Sequence, residues 1–207
     1  ATSLANAALS ADIRLVDLVA HLGQTLSEGE IIQLSNTNAS DFSEEVYFEV
    51  IRKKTAALFA SAAKAGALSA GSSDEKAQKA ALFGELIGVA FQIKDDIFDY
   101  YAPDELGKPT GNDMREGKLT LPALYVLNTL KDEAMEALAL KIRSLEATPE
   151  EISLFIDYVK VNGGIEYATK VMKDYRDKAL SVLPSTTSAE LREALTAYID
   201  YVIERKK

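Results

Sequence analysis

From Gly84 to Tyr101 the chain reads Gly-Glu-Leu-Ile-Gly-Val-Ala-Phe-Gln-Ile-Lys-Asp-Asp-Ile-Phe-Asp-Tyr-Tyr, without a proline. As a helix, Leu86 to Ile93 is apolar on nearly every side, which predicts a rod buried among other helices. Gln92, Asp95, Asp96 and Asp99 then follow at helical offsets of three, four and seven, which puts all four on one face. Upstream, Ala1 to Leu9 begins inside an amphipathic helical pattern with neither Met nor cap, so it reads as a cut end. Asp12 is placed to start a second helix, carried by Ile13, Leu15, Val16, Leu18, Val19, Leu22, Leu26, Ile31, Ile32 and Leu34 to about Ser35. After the polar loop Asn36 to Asp41, Ser43 with Glu44 and Glu45 behind it predicts the start of a third helix, running to about Leu68.

Ser73 or Asp74 is expected to cap the long helix that carries the aspartates, and Pro103 to stop it. The stretch Asp104 to Lys118 is rich in turn formers and reads as loop. Further helices are expected near Leu119 to Lys131, Asp132 to Leu145, Pro149 to Val161, Ile165 to Leu183 and Ser188 to Arg205. Thr148-Pro149-Glu150-Glu151 is a strong start signal, with proline in the first helical position. No run of residues reads as a strand. The pattern predicts one all-α domain over residues 1–207.

Composition changes this picture little. A length of 207 residues is enough for a substantial core, and the abundance of Ala and Leu favours helix. The net charge of -9 argues against nucleic acid as a partner, since phosphates call for basic patches. With no Cys there is no disulfide framework, which fits a cytoplasmic location. No apolar run reaches the ~20 residues that a transmembrane helix needs.

The acidic cluster is where chemistry enters. An Asp pair in a chain with 32 acidic residues ordinarily faces solvent. Here the apolar run ahead of it, and Ile97 and Phe98 within it, favour a buried setting. Carboxylates left uncompensated in a core cost several kcal/mol each, so the cluster is expected to open on a cavity that takes a cation. Mg2+, which binds one or two carboxylates together with substrate phosphates, suits that site. Lys108 and Lys118 flank the loop beyond the acidic helix, where both reach a cavity mouth. Arg52-Lys53-Lys54-Thr55 is the other basic feature. A basic run on a helix is usually a solvated face, but Thr55 shares the apolar side of Leu58 and Phe59, which turns Lys54 and Thr55 inward. His21 has no partner in view and reads as structural or exposed. Nothing supports nucleophilic or hydride chemistry.

Together these segments resemble a known family. Phe91-Gln92-x-x-Asp95-Asp96-x-x-Asp99 resembles the second aspartate-rich motif of the trans-type isoprenyl (polyprenyl) diphosphate synthases. Lys54-Thr55 is similar to their Lys-Thr diphosphate contact. Gly107-Lys108, Gly111-Asn112-Asp113 and Gly117-Lys118-Leu119-Thr120-Leu121-Pro122 resemble the loop that follows the motif. Ser27 to Leu34 resembles a segment common in the longer-chain bacterial members. The resemblance implies a helical bundle of the isoprenoid synthase type around a deep apolar pocket. It also implies a prenyltransferase that joins an allylic diphosphate to isopentenyl diphosphate with Mg2+, as a homodimer. Carried over residue by residue, Asp95 ligates Mg2+ directly, with Asp96 and Asp99 binding directly or through water. Lys54, Lys108 and Lys118 neutralise the allylic diphosphate, Thr55 and Gln92 orient it, and Phe91 faces the growing chain.

The departure from the family pattern lies upstream. The first aspartate-rich motif, the paired arginines after it and the isopentenyl diphosphate site before it do not occur in these 207 residues. The chain thus reads as the C-terminal two-thirds of a synthase, with little turnover expected of it alone. Two alternatives stay open from sequence: a terpenoid cyclase, and a non-catalytic subunit or binding module of the same fold. Product chain length is not legible.

Overall fold

The computed structural model describes residues 7, 9–10, 12–36, 41–101, 110–185 and 187–205. They form α1 (Ile13–Asn36), α2 (Glu44–Ile51), a π-helical segment (Arg52–Ala56), α3 (Ala57–Ser69), α4 (Asp74–Phe98) and the short α5 (Asn112–Arg115). The chain continues through α6 (Leu121–Leu130), α7 (Glu133–Arg143), α8 (Pro149–Val161), α9 (Gly164–Val182) and α10 (Ala189–Glu204). No strand occurs among the described residues, and none of their helices is long and apolar enough to cross a membrane. The helix expected over Ala1 to Leu9 lies largely outside the described residues, as do Pro103, Gly107 and Lys108.

The starts follow side-chain chemistry. The Ser43 hydroxyl accepts the Val46 N–H at 3.2 Å, with Glu44 and Glu45 in the positive first turn of α2. Ser73 caps α4 in the same way. Thr148 and Glu151 close a reciprocal capping box on α8, with Pro149 behind them.

Helix α4 is the axis of the bundle. Ile87, Val89, Ala90 and Ile93 are buried, together with Leu121, Leu124, Phe155, Val159 and Ile199 from the surrounding helices. The π segment, α3, α9 and α10 pack directly on α4. By contrast, α1 lies on the outside: of its residues only Gly29 is buried, and Ile31 is 63 % exposed.

Backbones meet where α4 crosses the preceding helix. A Cβ added to Gly88 would stand 2.6 Å from the Ala56 Cα, and one added to Gly84 would stand 2.5 Å from the Phe59 carbonyl oxygen. Nothing larger than hydrogen fits at either place, so the two glycines allow α4 to lie directly against the π segment and α3.

Two differences from the sequence reading matter for the site. The helix expected from Ser43 to Leu68 is continuous in path but interrupted at Arg52–Ala56, where the Ala57 N–H reaches back five residues to the Arg52 carbonyl. Hydrophobic periodicity cannot show a single widened turn. Helix α4 also ends at Phe98, before Pro103, because the Asp99 carbonyl accepts the Gly111 N–H at 2.9 Å and the chain folds back. The loop expected there contains the unanticipated α5.

Gly→Ala should therefore have opposite signs at two helical positions. At Gly66, in α3, a Cβ would meet nothing within 4 Å, and Gly66→Ala should gain about 0.5–1 kcal/mol. Gly88→Ala should lose about 1–3 kcal/mol through overpacking against backbone. Urea unfolding of both variants measures this, and equal shifts would contradict the close approach.

Candidate active site

A cavity of about 310 Å³ opens between α1, α2, the π segment, α4 and the turn after α5. Its polar wall is a chain of hydrogen bonds between helices. The Thr55 hydroxyl donates to Gln92 Oε1 at 2.7 Å. The Gln92 amide donates to Asp96 Oδ1 at 2.8 Å, and the Tyr47 hydroxyl donates to Asp96 Oδ2 at 2.6 Å. Asp96 is only 4 % exposed. On the apolar side, Leu34, Val50, Ile51, Leu119 and Leu124 line the same space.

The local helix geometry explains how Tyr47 and Thr55 reach neighbouring positions on α4. In a plain α-helix a spacing of eight residues overshoots two turns of 3.6 residues. The π turn absorbs one extra residue and brings Thr55 back beneath Tyr47.

Lys54 and Lys118 both line the cavity. The Lys54 ammonium meets Glu30 at 2.5 Å and Gln33 Oε1 at 3.0 Å, whereas Lys118 pairs with Glu116. Both lysines pull on Glu30, whose carboxyl is held below its ordinary value by the Lys54 hydrogen bond first and Lys118 more weakly. Burial pulls the Lys118 ammonium down, but Glu116, Asp113 and Glu30 together hold it above its usual value.

The sequence expectation that three aspartates share one cavity is met by Asp96 alone. Asp95 instead faces the end of α10, where it pairs with Arg205. Asp99 turns to α5, its two carboxylate oxygens accepting the Asn112 and Asp113 N–H groups at 2.9 and 3.0 Å. Among the described residues, no three acidic or imidazole groups stand close enough to hold one ion. Common placement on a helix face is not convergence: each carboxylate takes the nearest donor, and the three donors lie in different directions. Phe91 is likewise outside the cavity lining, packed between Phe59, at 5.2 Å between ring centroids, and the Arg205 guanidinium, 4.1 Å above its ring.

Several residues at the site carry no role in the sequence reading. Asp113, part of the loop motif, lines the cavity. Burial, with the charge of Asp99 added, pushes its carboxyl up to about 6. Burial pushes Asp96 up to about 7 against the pull of its Tyr47 donor. Asp95 and Asp99 are also raised, in each case by burial first. These four carboxylates, raised by burial, are all oxygen donors, although no three of them converge on one point. That chemistry fits a hard divalent cation, which would favour their ionised forms. Tyr47 had only its spacing from Lys54 and Thr55 as a signal. Arg143, buried on the cavity wall, donates to the Asp41 carbonyl at 2.6 Å and lies over Phe42, and no motif marked it.

Comparison with known proteins follows the same lines. The family model described as "Polyprenyl synthetase" matches residues 1–159. A short chain isoprenyl diphosphate synthase of Methanothermobacter thermautotrophicus is 37% identical over 184 residues, covering 87% of this chain and 55% of that protein. A geranylgeranyl pyrophosphate synthase from Bacteroides thetaiotaomicron superposes with a TM-score of 0.93 at 52% identity, over 99% of this chain and 68% of that one. A polyprenyl synthase from Caulobacter crescentus CB15, complexed with calcium and isoprenyl diphosphate, gives 0.87 at 32% identity, over 97% and 61%. The chain spans little more than half the length of the curated relatives it matches.

The raised Asp96 carboxyl sets a pH dependence. The native state keeps a proton that the unfolded chain releases, so this group's contribution to stability is full in acid and is lost as pH rises towards and through about 7. Asp96→Asn removes the ionisation cost. The variant should melt above the parent at pH 8 without metal, and the gain should shrink steadily down to pH 4. Thermal melts across that range measure it.

Proposed function

The chain belongs to the polyprenyl synthetase family, and on that premise we propose that it carries the allylic-diphosphate side of a prenyltransferase site. The reaction joins an allylic diphosphate to isopentenyl diphosphate, giving a linear trans polyprenyl diphosphate. The allylic C–O bond breaks and the diphosphate leaves with the bonding pair. The double bond of isopentenyl diphosphate then attacks the allylic carbon, and a proton is lost from the carbon next to the new cation.

The observation that carries this reading is the meeting of Lys54 and Lys118 at one cavity whose polar wall is the Thr55–Gln92–Asp96 chain. The two ammonium groups exchange Glu30 and Glu116 for diphosphate oxygens, where they oppose the charge that develops on the leaving group. Lys108 is proposed as a third. Thr55 and Gln92 orient the diphosphate, their hydrogen bond already fixing the direction of both side chains. Asp95, Asp96 and Asp99 are the proposed holders of Mg2+, with Asp95 released from Arg205 to do so. Bound there, Mg2+ supplies positive charge to the departing diphosphate. Similarity to a polyprenyl synthase complexed with calcium and isoprenyl diphosphate supports a divalent cation and a diphosphate as ligands.

The apolar wall at Leu34, Val50, Ile51, Leu119 and Leu124 suits the hydrocarbon, with Phe91 proposed to face the growing chain. At ~0.8 kcal/mol per methylene, burial holds each five-carbon unit by up to about 4 kcal/mol. The 207 residues hold no first aspartate-rich motif, so turnover by this stretch alone is proposed to be small. Retention of Lys54, Lys118 and the three aspartates favours a catalytic protein over a scaffold subunit. A homodimer, on family likeness, completes the proposal.

Calorimetry of this chain with an allylic diphosphate should show binding that requires Mg2+, weakened about tenfold or more by Lys54→Ala or Lys118→Ala. Binding indifferent to Mg2+ would overturn the reading. In a chain that also carries the first aspartate-rich motif, Asp95→Ala should lower turnover on the order of 100- to 1,000-fold.

A further inference from the structure

We infer that Tyr47 is a positioning residue for cation binding, fixing the carboxylate of Asp96 from the helix opposite; the inference rests on the prenyltransferase reading above. Tyr47 is 8 % exposed and its hydroxyl is 2.6 Å from Asp96 Oδ2. Gln92 takes the other oxygen at 2.8 Å. One donor on each oxygen, from two different helices, sets the plane of the carboxylate. Each oxygen keeps a lone pair for a cation.

A buried phenol needs an acceptor wherever it lies, and a backbone carbonyl would satisfy it. Here the acceptor is a carboxylate whose own burial is unfavourable. The phenol sits on the cavity wall, on the helix that also delivers Lys54 and Thr55. The helix bearing it is tied down at its start. Glu44 accepts the Tyr167 hydroxyl at 2.9 Å, the Phe42 carbonyl accepts the Asn128 amide at 2.7 Å, and Ser43 caps the first turn. The Tyr47 ring packs edge-on to Phe48 at 5.2 Å between centroids. A phenol held this firmly leaves Asp96 one direction in which to point. Groups that orient metal-binding side chains in this way change metal affinity by about 10- to 100-fold when they are lost.

The test uses Mn2+ as a paramagnetic stand-in for Mg2+, titrated against the protein with an allylic diphosphate present and read as free Mn2+ by electron paramagnetic resonance. Tyr47→Phe should weaken Mn2+ binding about 10- to 100-fold. In an Asp96→Asn background the same change should have no further effect. Tyr158→Phe, which removes a phenol that bonds Asp132 and does not line the cavity, should leave Mn2+ binding unchanged. Unaltered Mn2+ affinity in Tyr47→Phe, or the same loss in both backgrounds, would overturn the assignment while leaving the function intact. No diphosphate-dependent Mn2+ binding by the parent protein would defeat the prenyltransferase reading instead. If Tyr47→Phe does not fold, 3-fluorotyrosine incorporated at position 47 gives a second readout. Its 19F resonance should move when Mg2+ and diphosphate are added together, and a fixed resonance would sink the idea.

Discussion

Burying the carboxylate of Asp96 constrains the structure around it. An ionised group out of water needs donors on both oxygens, and the donors have to come from fixed places. Tyr47 on α2 and Gln92 on α4 itself provide them, and Gln92 is held in turn by Thr55 from the π segment. Each partner constrains the next. The register of α2 against α4, the widened turn at Arg52–Ala56 and the backbone contact at Gly88 all serve to bring these four side chains together. Even so, Asp96 remains above its ordinary range. Above about pH 7 the ionised carboxylate carries a cost that a neutral residue would not.

The second constraint is the match of opposite charges before any substrate is present. Lys54 rests on Glu30, Lys118 on Glu116, and Asp95 on Arg205. Each pair contains one group that the proposed chemistry uses and one that occupies it. On the proposed function, ligand binding would be an exchange of partners, in which diphosphate oxygens replace glutamates and a cation replaces the guanidinium. Such exchange costs less than uncovering bare charges in a half-buried cleft, because each group the chemistry uses is paired before and after.

Much of the architecture was legible in the chain because long helices announce themselves. The apolar run from Leu86 to Ile93, the caps at Ser43, Ser73 and Thr148, and the separation of the helices ending at Val161 and starting near Ile165 all correspond to what folds. What stayed hidden depends on one residue more or less. The π turn adds a single residue to one helical turn, and periodicity over a long apolar stretch does not register it. The site was legible as an inventory: Lys54, Thr55, Gln92, Asp96 and Lys118 do meet at the cavity. Its directions were not. The sequence could not tell that Asp95 and Asp99 turn to Arg205 and to α5, since these partners lie 110 and 13–14 residues away along the chain. Nor did it mark Tyr47 or Arg143, whose roles depend on tertiary contact alone.

The way Asp99 gathers the returning chain has a consequence for Lys118. Its backbone carbonyl and both side-chain oxygens receive Gly111, Asn112 and Asp113 in succession, so the excursion that begins after Tyr101 is cinched at its base. The same anchor carries on to Lys118, whose N–H donates to the Asp113 carbonyl at 2.8 Å, so the turn that bears this lysine is registered against the end of α4.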